Sequence, residues 1–233
     1  TPSRIFHAIR RRFINLFNFL EWKLSSNKID LAKINPEKAE TCVIMCNGPS
    51  LAKINIQTLK KIDCFSMNRA YLSFDEWGFT PKYHVCVNDN VLSQFSEDLG
   101  KVSTHKFYNR YSKNRFDKNS DIHFLYIHYG IGDRVVDSIT KPMSVGGTVT
   151  FVSIQLALLM GYKKILIVGM DHNFSNVGTP GIKAKMSETD TNHYRPDYFP
   201  VGINWDYPDL HRCELAYSKL KSYATTIGAE IVD

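Results

Sequence analysis

The sequence has no apolar run of the roughly 18 to 20 residues that a membrane-spanning helix needs. It also has no C-x-x-C pair, and its 8 histidines are scattered, so the spacing of a structural zinc site is missing. The cysteines number 5, an odd count, and four of them stand in apolar runs typical of buried strands: Cys42, Cys46, Cys64 and Cys86. This pattern argues against a disulfide framework and predicts a reduced, cytoplasmic compartment.

Nucleotide-binding motifs of fixed spacing are absent as well. Neither G-x-x-x-x-G-K-[ST] nor G-x-G-x-x-G occurs, so ordinary P-loop ATPase and ordinary dehydrogenase chemistry are not supported. No D-x-D triplet occurs, and the nearest approach to one is Asn88-Asp89-Asn90. Because Mg²⁺ and Mn²⁺ prefer hard oxygen ligands, we predict that no metal cofactor is required, with Asp89 able to hold Mg²⁺ only weakly.

The net charge is +6, which predicts an anionic partner. The densest cluster of positively charged residues is Arg10-Arg11-Arg12. No basic helix with interleaved aromatic residues supports a nucleic-acid partner, so the sequence does not indicate one. Apolar residues of segment 4–24 recur at helical spacing, which predicts an amphipathic basic helix within an N-terminal extension, residues 1–35. The favoured interpretation is that this helix packs on the domain or on a second subunit of a homo-oligomer. The alternative is peripheral contact with an anionic surface at the inner face of the cytoplasmic membrane.

From residue 41 onward, short β-rich runs alternate with helical ones. The predicted strands cover 41–46, 63–67, 83–88, 105–108, 122–127 and 164–169, and the predicted helices lie near 50–60, 90–99, 146–160 and 209–227. The strands are mostly apolar without alternation, as in a parallel sheet covered on both faces. We therefore predict an α/β, Rossmann-like, doubly wound domain over residues 36–233. Since the chain lacks an initiator methionine and ends as a further strand begins, we expect an excised domain.

One segment does not fit this alternation. Residues 172–208 contain repeated Gly and Pro, few aliphatics and several aromatics. A stretch of this length without regular structure is usually a binding loop or lid. We predict a mobile lid that carries functional groups.

Polar residues follow the predicted strands at the edge where ligands bind in open parallel sheets. They are Asn47-Gly48-Pro49-Ser50, Asn68-Arg69, Asn88-Asp89-Asn90 and Gly169-Met170-Asp171-His172-Asn173. Gly48 would let the backbone approach a ligand, and the amides of the following turn, including that of Ser50, could receive a phosphate. The alternative is a plain strand-to-helix turn that Asn47 caps. Asparagines at three successive strand ends favour a nucleotide site.

A second glycine-rich turn, residues 143–150 (MSVGGTVT), precedes a strongly apolar helix. Small residues and hydroxyls at a helix N-terminus, here Ser144, Gly147 and Thr148, predict a further anion-binding turn. The alternative is a tight packing contact between helix and sheet.

These motifs occur in the order VIMCNGPSL, FSMNRAYL, VCVND, the glycine turn, LALLMGYKKILIVGMD and NHY. In that order, over roughly residues 41 to 228, the sequence resembles the small bacterial sialyltransferases that use CMP-activated sialic acid. It resembles equally the motility accessory factor or 6-hydroxymethylpterin pyrophosphokinase-like family. The resemblance implies a glycosyltransferase that moves an acidic 2-keto sugar, of the sialic, pseudaminic or Kdo type, from a CMP donor to a glycan or glycolipid. The alternative is an ATP-dependent pterin pyrophosphokinase with Asp89 and Asp171 as metal ligands.

The same resemblance implies roles for individual residues. It places five residues where the family holds the nucleotide and donor: Asn47, Asn68, Asn88, Thr148 and Asp171. Their positions at strand ends, in the glycine turn or in the lid add eight further binding candidates, which are Gly48, Ser50, Arg69, Asp89, Ser144, Gly147, Asn173 and Arg195. The lid would supply a catalytic histidine and tyrosine, His193 and Tyr194.

The chemistry of the residues agrees in outline. A histidine suits deprotonation of an acceptor hydroxyl because its ordinary pKa lies near working pH. The sialyltransferase pattern places its histidine where this chain has Asp197, so the base is His193 or Asp197. For the donor carboxylate we expect Arg195, with Arg69 as the alternative. A tyrosine that assists the leaving group in the sialyltransferases is replaced by Asn173.

Overall fold

The structure is a computed structural model that describes residues 16–17, 19–24, 29–35, 39–117, 121–128, 132–175 and 178–233. Its strands, in chain order, are β1 (Thr41–Met45), β2 (Asp63–Met67), β3 (Tyr83–Cys86), β4 (His105–Asn109), β5 (Ile122–Leu125), β6 (Ile127–His128), β7 (Met143–Ser144), β8 (Lys164–Val168), β9 (Lys183–Lys185), β10 (Asn204–Asp206) and β11 (Glu230–Val232). Seven of them form one sheet in the order β11-β8-β1-β2-β3-β4-β5. All of its pairs are parallel, as predicted.

The strand order reverses beside β1. The chain steps from β1 to β5 on one side and returns through β8 and β11 on the other, so Val43 lies opposite Cys64 of β2 and Leu166 of β8. Such a switch point opens a crevice beyond the carboxyl ends of the strands. The remaining strands form two small sheets, a parallel β6-β7 pair and an antiparallel β9-β10 pair.

Both faces of the sheet are covered because its central strands are apolar throughout. In β1, Cys42 and Ile44 join one buried cluster, whereas Val43 and Met45 join another on the opposite face. The described α-helices beyond residue 28 are α1 (Leu31–Ile34), α2 (Phe74–Trp77), α3 (Asp89–Gln94), α4 (Ser96–Lys101), α5 (Val149–Leu159) and α6 (Leu210–Thr226). Helix α5 crosses the centre of the sheet face that carries Cys42 and Ile44, and it is buried from Thr150 to Leu158. Helix α6 packs beside α5.

Two predicted helices take a different form. The region near 50–60 contains two 3₁₀ helices, Pro49–Lys53 and Ile56–Lys61, because Ile54 is extended and the Asn55 side chain starts a new turn by accepting from the Gln57 amide. The region near 90–99 is divided into α3 and α4 at Phe95, whose φ and ψ of −131° and 26° are not helical.

Segment 172–208 contains the β9-β10 hairpin. Its Met186, Tyr198, Phe199 and Trp205 are buried with side chains of α3 and α4 in a third cluster. The segment therefore has more regular structure and more buried surface than its composition indicated. Its mobility stays a prediction.

The N-terminal helix is described only in part, since residues 4–15 and 18 lie outside the described residues. Residues 19–24 are helical, and the rings of Phe19 and Trp22 lie 5.6 and 5.2 Å from that of Tyr126. Leu16, Phe17, Leu20 and Leu24 are exposed. The described part thus packs on the domain. Contact with a membrane or a second subunit stays a prediction, and no helix in the described ranges is long and apolar enough to cross a membrane.

Burial of His84 in β3 makes the stability of the fold depend on pH. Its Nδ1 lies 2.8 Å from Ser66 Oγ, and desolvation lowers its pKa from 6.5 to about 3. Between these two values the unfolded chain binds a proton at His84 that the folded chain does not. The contribution of His84 to stability is therefore full above pH 6.5 and is lost as the pH falls towards 3.

We predict that His84 stays neutral in the folded protein at about pH 5, whereas the urea-unfolded chain titrates near its ordinary pKa of about 6.5. Nitrogen NMR of histidine-labelled protein checks this, and His84→Gln assigns the resonance. A protonated His84 ring in the folded state at that pH would contradict the prediction.

Candidate functional site

A cleft of about 440 Å³ opens beyond the carboxyl ends of the central strands. Its walls come from the ends of β1, β2, β3 and β8, the glycine turn before α5, the first residues of α6 and segment 172–208. Of the residues predicted for the site, ten line this cleft: Asn47, Gly48, Asn68, Asn88, Asp89, Gly147, Thr148, Asp171, Asn173 and His193. The other six, Ser50, Arg69, Ser144, Tyr194, Arg195 and Asp197, are not among its lining residues.

The three strand-end asparagines share the cleft but differ in what holds them. Asn47 Nδ2 donates to Met67 O at 3.1 Å and to Tyr198 Oη at 3.0 Å, which ties the end of β1 to segment 172–208. Asn88 Oδ1 caps α3 by accepting from the amides of its first turn. Asn68 has a φ of 51°, and its buried Oδ1 finds no hydrogen-bond partner in the described part of the chain. Asn68 therefore holds a buried acceptor that the described residues leave unsatisfied.

The turn after β1 is occupied by a carboxylate of the protein itself. Asp171 Oδ2 accepts from the Ser50 amide at 2.9 Å, and the Gly48 amide donates to Gly169 O at 2.8 Å. The Ser50 amide, predicted to contact a phosphate, is therefore already engaged, and Ser50 lies outside the cleft. A Cβ at Gly48 would collide with Asp171 Oδ2, so the absence of a side chain at Gly48 permits the close approach of Asp171.

The glycine turn presents the N-terminus of α5 to the cleft. Gly147 has a φ of 80°, and Thr148 caps the helix by accepting from the Thr150 amide at 3.2 Å. Asp133 fixes the turn from behind, since its Oδ1 accepts from the Gly146 amide at 3.1 Å and from Arg212, which binds both carboxylate oxygens. Ser144, also predicted for this turn, does not line the cleft: it is buried in β7, where its Oγ accepts from the Arg134 amide at 3.2 Å.

A His-Asp pair stands in the wall that segment 172–208 contributes. His193 Nδ1 donates to Asp190 Oδ2 at 2.7 Å, and the Asp190 side chain is fully buried. The His193 ring stacks on that of Tyr198, with centroids 4.0 Å apart and planes inclined by 12°. With Nδ1 engaged, Nε2 is the nitrogen left for a ligand. Sequence reasoning missed Asp190, although an aspartate three residues before the histidine indicates such a pair.

Three predicted site residues that follow His193, namely Tyr194, Arg195 and Asp197, do not line the cleft. Tyr194 Oη donates to Glu76 Oε1 at 2.5 Å, and this bond raises the pKa of Tyr194. Arg195 binds both oxygens of Asp197, at 2.8 and 2.9 Å, and thereby lowers the pKa of Asp197. A carboxylate with a lowered pKa is a weak base, so Asp197 is not suited to the base role. Arg195, engaged with Asp197, is not available to a donor carboxylate.

Arg69 is also engaged. It is buried, donates to the carbonyl oxygens of Asp197 and Tyr198, and lies over the Phe95 ring at 3.9 Å. The cation that does line the cleft is Lys183, in β9. It was not predicted because the hairpin that positions it could not be recognised in a segment rich in Gly and Pro.

The described ranges contain no group of three or more His, Cys, Asp or Glu side chains that could hold a metal ion. Asp89 and Asp171 both line the cleft. Asp89 Oδ1, however, accepts from Asn109 Nδ2 at 3.0 Å, and Asp171 Oδ2 is engaged at Ser50. Each of these two carboxylates thus has one oxygen engaged in a hydrogen bond.

Comparison with known proteins assigns the family. The profile of the family described as 6-hydroxymethylpterin diphosphokinase MptE-like matches residues 13–177. The chain therefore belongs to this MptE-like family, which confirms the resemblance seen in the motifs. No curated protein matches the sequence.

Solved structures with similarity to the chain include two kinds of glycosyltransferase. The MAf glycosyltransferase from Magnetospirillum magneticum AMB-1 is 14% identical over 83% of this chain and 33% of that one, with a TM-score of 0.46. The α-2,3-sialyltransferase Cst-I from Campylobacter jejuni is 16% identical over 84% of this chain and 75% of that one, with a TM-score of 0.47. The chain thus spans about a third of the length of the M. magneticum protein.

We predict that Gly48→Ala lowers the free energy of unfolding by about 1 to 3 kcal/mol, because its Cβ would overlap Asp171 Oδ2 and Gly169 O. The matched control is Gly100→Ala in α4, where the Cβ would meet Phe116 Cδ1 at an ordinary 3.7 Å. This control should be neutral or stabilising, since Ala favours a helix over Gly. Urea denaturation measures both variants, and equal effects would contradict the close approach at Gly48.

Proposed function

We propose that the cleft binds a CMP-activated acidic 2-keto sugar, of the sialic, pseudaminic or Kdo type, and transfers the sugar to a hydroxyl of a cell-surface glycan or glycolipid. The observation that carries this proposal is the Asp190-His193 pair in the wall of the cleft. The order of the sequence motifs supports the choice of a CMP donor.

In the proposed reaction His193 acts as the general base. Asp190 holds the proton on Nδ1, so Nε2 has a free lone pair that can accept the proton of the acceptor hydroxyl. Stacking on Tyr198 fixes the plane of the ring. The acceptor oxygen then forms a bond to the anomeric carbon as the bond from that carbon to the CMP phosphate oxygen breaks.

Two features of the cleft suit the negative charge of the donor. The first is the N-terminus of α5, an 11-residue helix with Thr148 as its N-cap and the Thr150 hydroxyl in its first turn. The second is the Lys183 ammonium group, which takes the role expected of Arg195 or Arg69. Both would stabilise the departing phosphate or the sugar carboxylate.

The second candidate function is ATP-dependent diphosphate transfer to a pterin. The family match favours it. In that reaction ATP and Mg²⁺ would occupy the same strand ends, with Asp89 and Asp171 as metal ligands.

A screen of nucleotides by thermal shift separates the two functions. We expect CMP to raise the melting temperature, because a ligand at about 100 times its Kd stabilises the folded state by about 2.7 kcal/mol. UDP, and ATP with Mg²⁺, should leave the melting temperature unchanged. A shift with ATP and Mg²⁺ but none with CMP would favour the diphosphokinase.

The base is tested by substituting the pair. We expect His193→Gln and Asp190→Asn each to lower the rate of CMP release from CMP-activated keto sugars by about 100-fold or more. Affinity for CMP should stay near the wild-type value, because neither side chain is assigned to the nucleotide. Asp197→Asn, which removes a carboxylate of the same segment outside the cleft, is the matched control and should keep nearly full activity. If His193→Gln and Asp190→Asn both released CMP from every such donor at the wild-type rate, the proposed mechanism would be wrong.

A further inference from the structure

Asn192 lies in the sequence between Asp190 and His193, and within the described part of the chain only the oxygen of its side-chain amide has hydrogen-bond partners. The residue is 6% exposed and lines the cleft. Its Nδ2 is buried and has no hydrogen-bond partner among the residues that the structure describes. An unpaired buried N–H group costs free energy, so it marks a position where a ligand acceptor would be favourable.

The orientation of the Asn192 amide is fixed by its neighbours. Its Oδ1 accepts from the Ser175 amide at 2.7 Å and from Ser175 Oγ at 3.0 Å. Because a backbone N–H can only donate, the atom facing Ser175 must be the oxygen, and the amide nitrogen is directed elsewhere. The Asn192 backbone is held as well, since its N–H donates to Asp190 Oδ1 at 2.9 Å. The unpaired group is therefore held in place before any ligand binds.

We infer that Asn192 Nδ2 donates to an anionic oxygen of the bound substrate, either in the sugar carboxylate or in the phosphate. The inference rests on the proposed function. In a 2-keto sugar donor the anomeric carbon carries the carboxylate directly and the phosphate through one oxygen. Asn192 lines the same cleft as His193, the base proposed to serve this carbon. Nδ2 has only hydrogens to offer, so its partner must be an acceptor.

The test measures dissociation constants by calorimetry for wild type and Asn192→Asp. Asp keeps the shape and the oxygen that accepts from Ser175 but replaces the N–H₂ group with a second oxygen. The ligands are cytidine, CMP, a hydrolysis-resistant CMP-keto-sugar analogue, and adenosine and ATP with Mg²⁺. Asn114→Asp, at an exposed position outside the cleft, controls for the change in net charge. Asn192→Ala is measured beside Asn192→Asp, because it removes the N–H₂ group without adding a negative charge that would repel any nearby anion. A contact from Nδ2 requires the loss in both variants.

We expect Asn192→Asp to weaken binding by about tenfold or more for the ligand that carries the contacted oxygen, and to leave cytidine binding unchanged. Loss at CMP assigns the phosphate, whereas loss at the sugar analogue alone assigns the carboxylate. Equal affinities of wild type and variant for CMP and for the analogue would overturn the inference and leave the proposed function intact. If the wild type binds ATP but not CMP, the proposed function is wrong. The inference is then supported if Asn192→Asp weakens the binding of ATP but not that of adenosine, and it is overturned if the affinity for ATP is unchanged. A wild type that binds none of these ligands would overturn both.

Discussion

The hydrogen bond from the Ser50 amide to the Asp171 carboxylate joins the ends of β1 and β8, and the geometry of the cleft depends on it. These two strands meet where the strand order reverses, so their ends form the centre of the ligand-binding edge. Gly48 makes the junction possible because any side chain there would collide with Asp171. Once the junction is in place, the parallel register brings Asn68 and Asn88 to the same edge.

A second set of contacts attaches segment 172–208 to this edge. Tyr198 is the centre of the set: its hydroxyl accepts from Asn47, its carbonyl accepts from the buried Arg69, and its ring supports His193. The charged groups around it are largely engaged with one another, as in the Arg195-Asp197 pair. Among the described residues of the cleft, Asn68 Oδ1 and Asn192 Nδ2 have no hydrogen-bond partner, and His193 Nε2 is the ring nitrogen that Asp190 does not engage.

The sheet could be predicted from sequence because its strands are continuous apolar runs, and burial on both faces leaves such runs little choice of structure. Once the strands are predicted, the polar residues that follow them can also be predicted to lie together at one edge of the sheet. The partners of charged side chains were not, because Arg195 and Asp197 look available until the fold shows them bound to each other. The β9-β10 hairpin was missed since its strands have only three residues each and their register is set by contacts with the rest of the domain.

The junction between β1 and β8 has a consequence for how the chain reaches its native state. Ser50 and Asp171 are 121 residues apart in sequence, and β1 has no neighbour on one edge until β8 arrives. On the ribosome, the first five strands would emerge with an open apolar edge that only the later part of the chain can close. Contacts of such long range fold slowly. The interval before β8 is synthesised is therefore when the nascent chain is most exposed to aggregation and most in need of a chaperone.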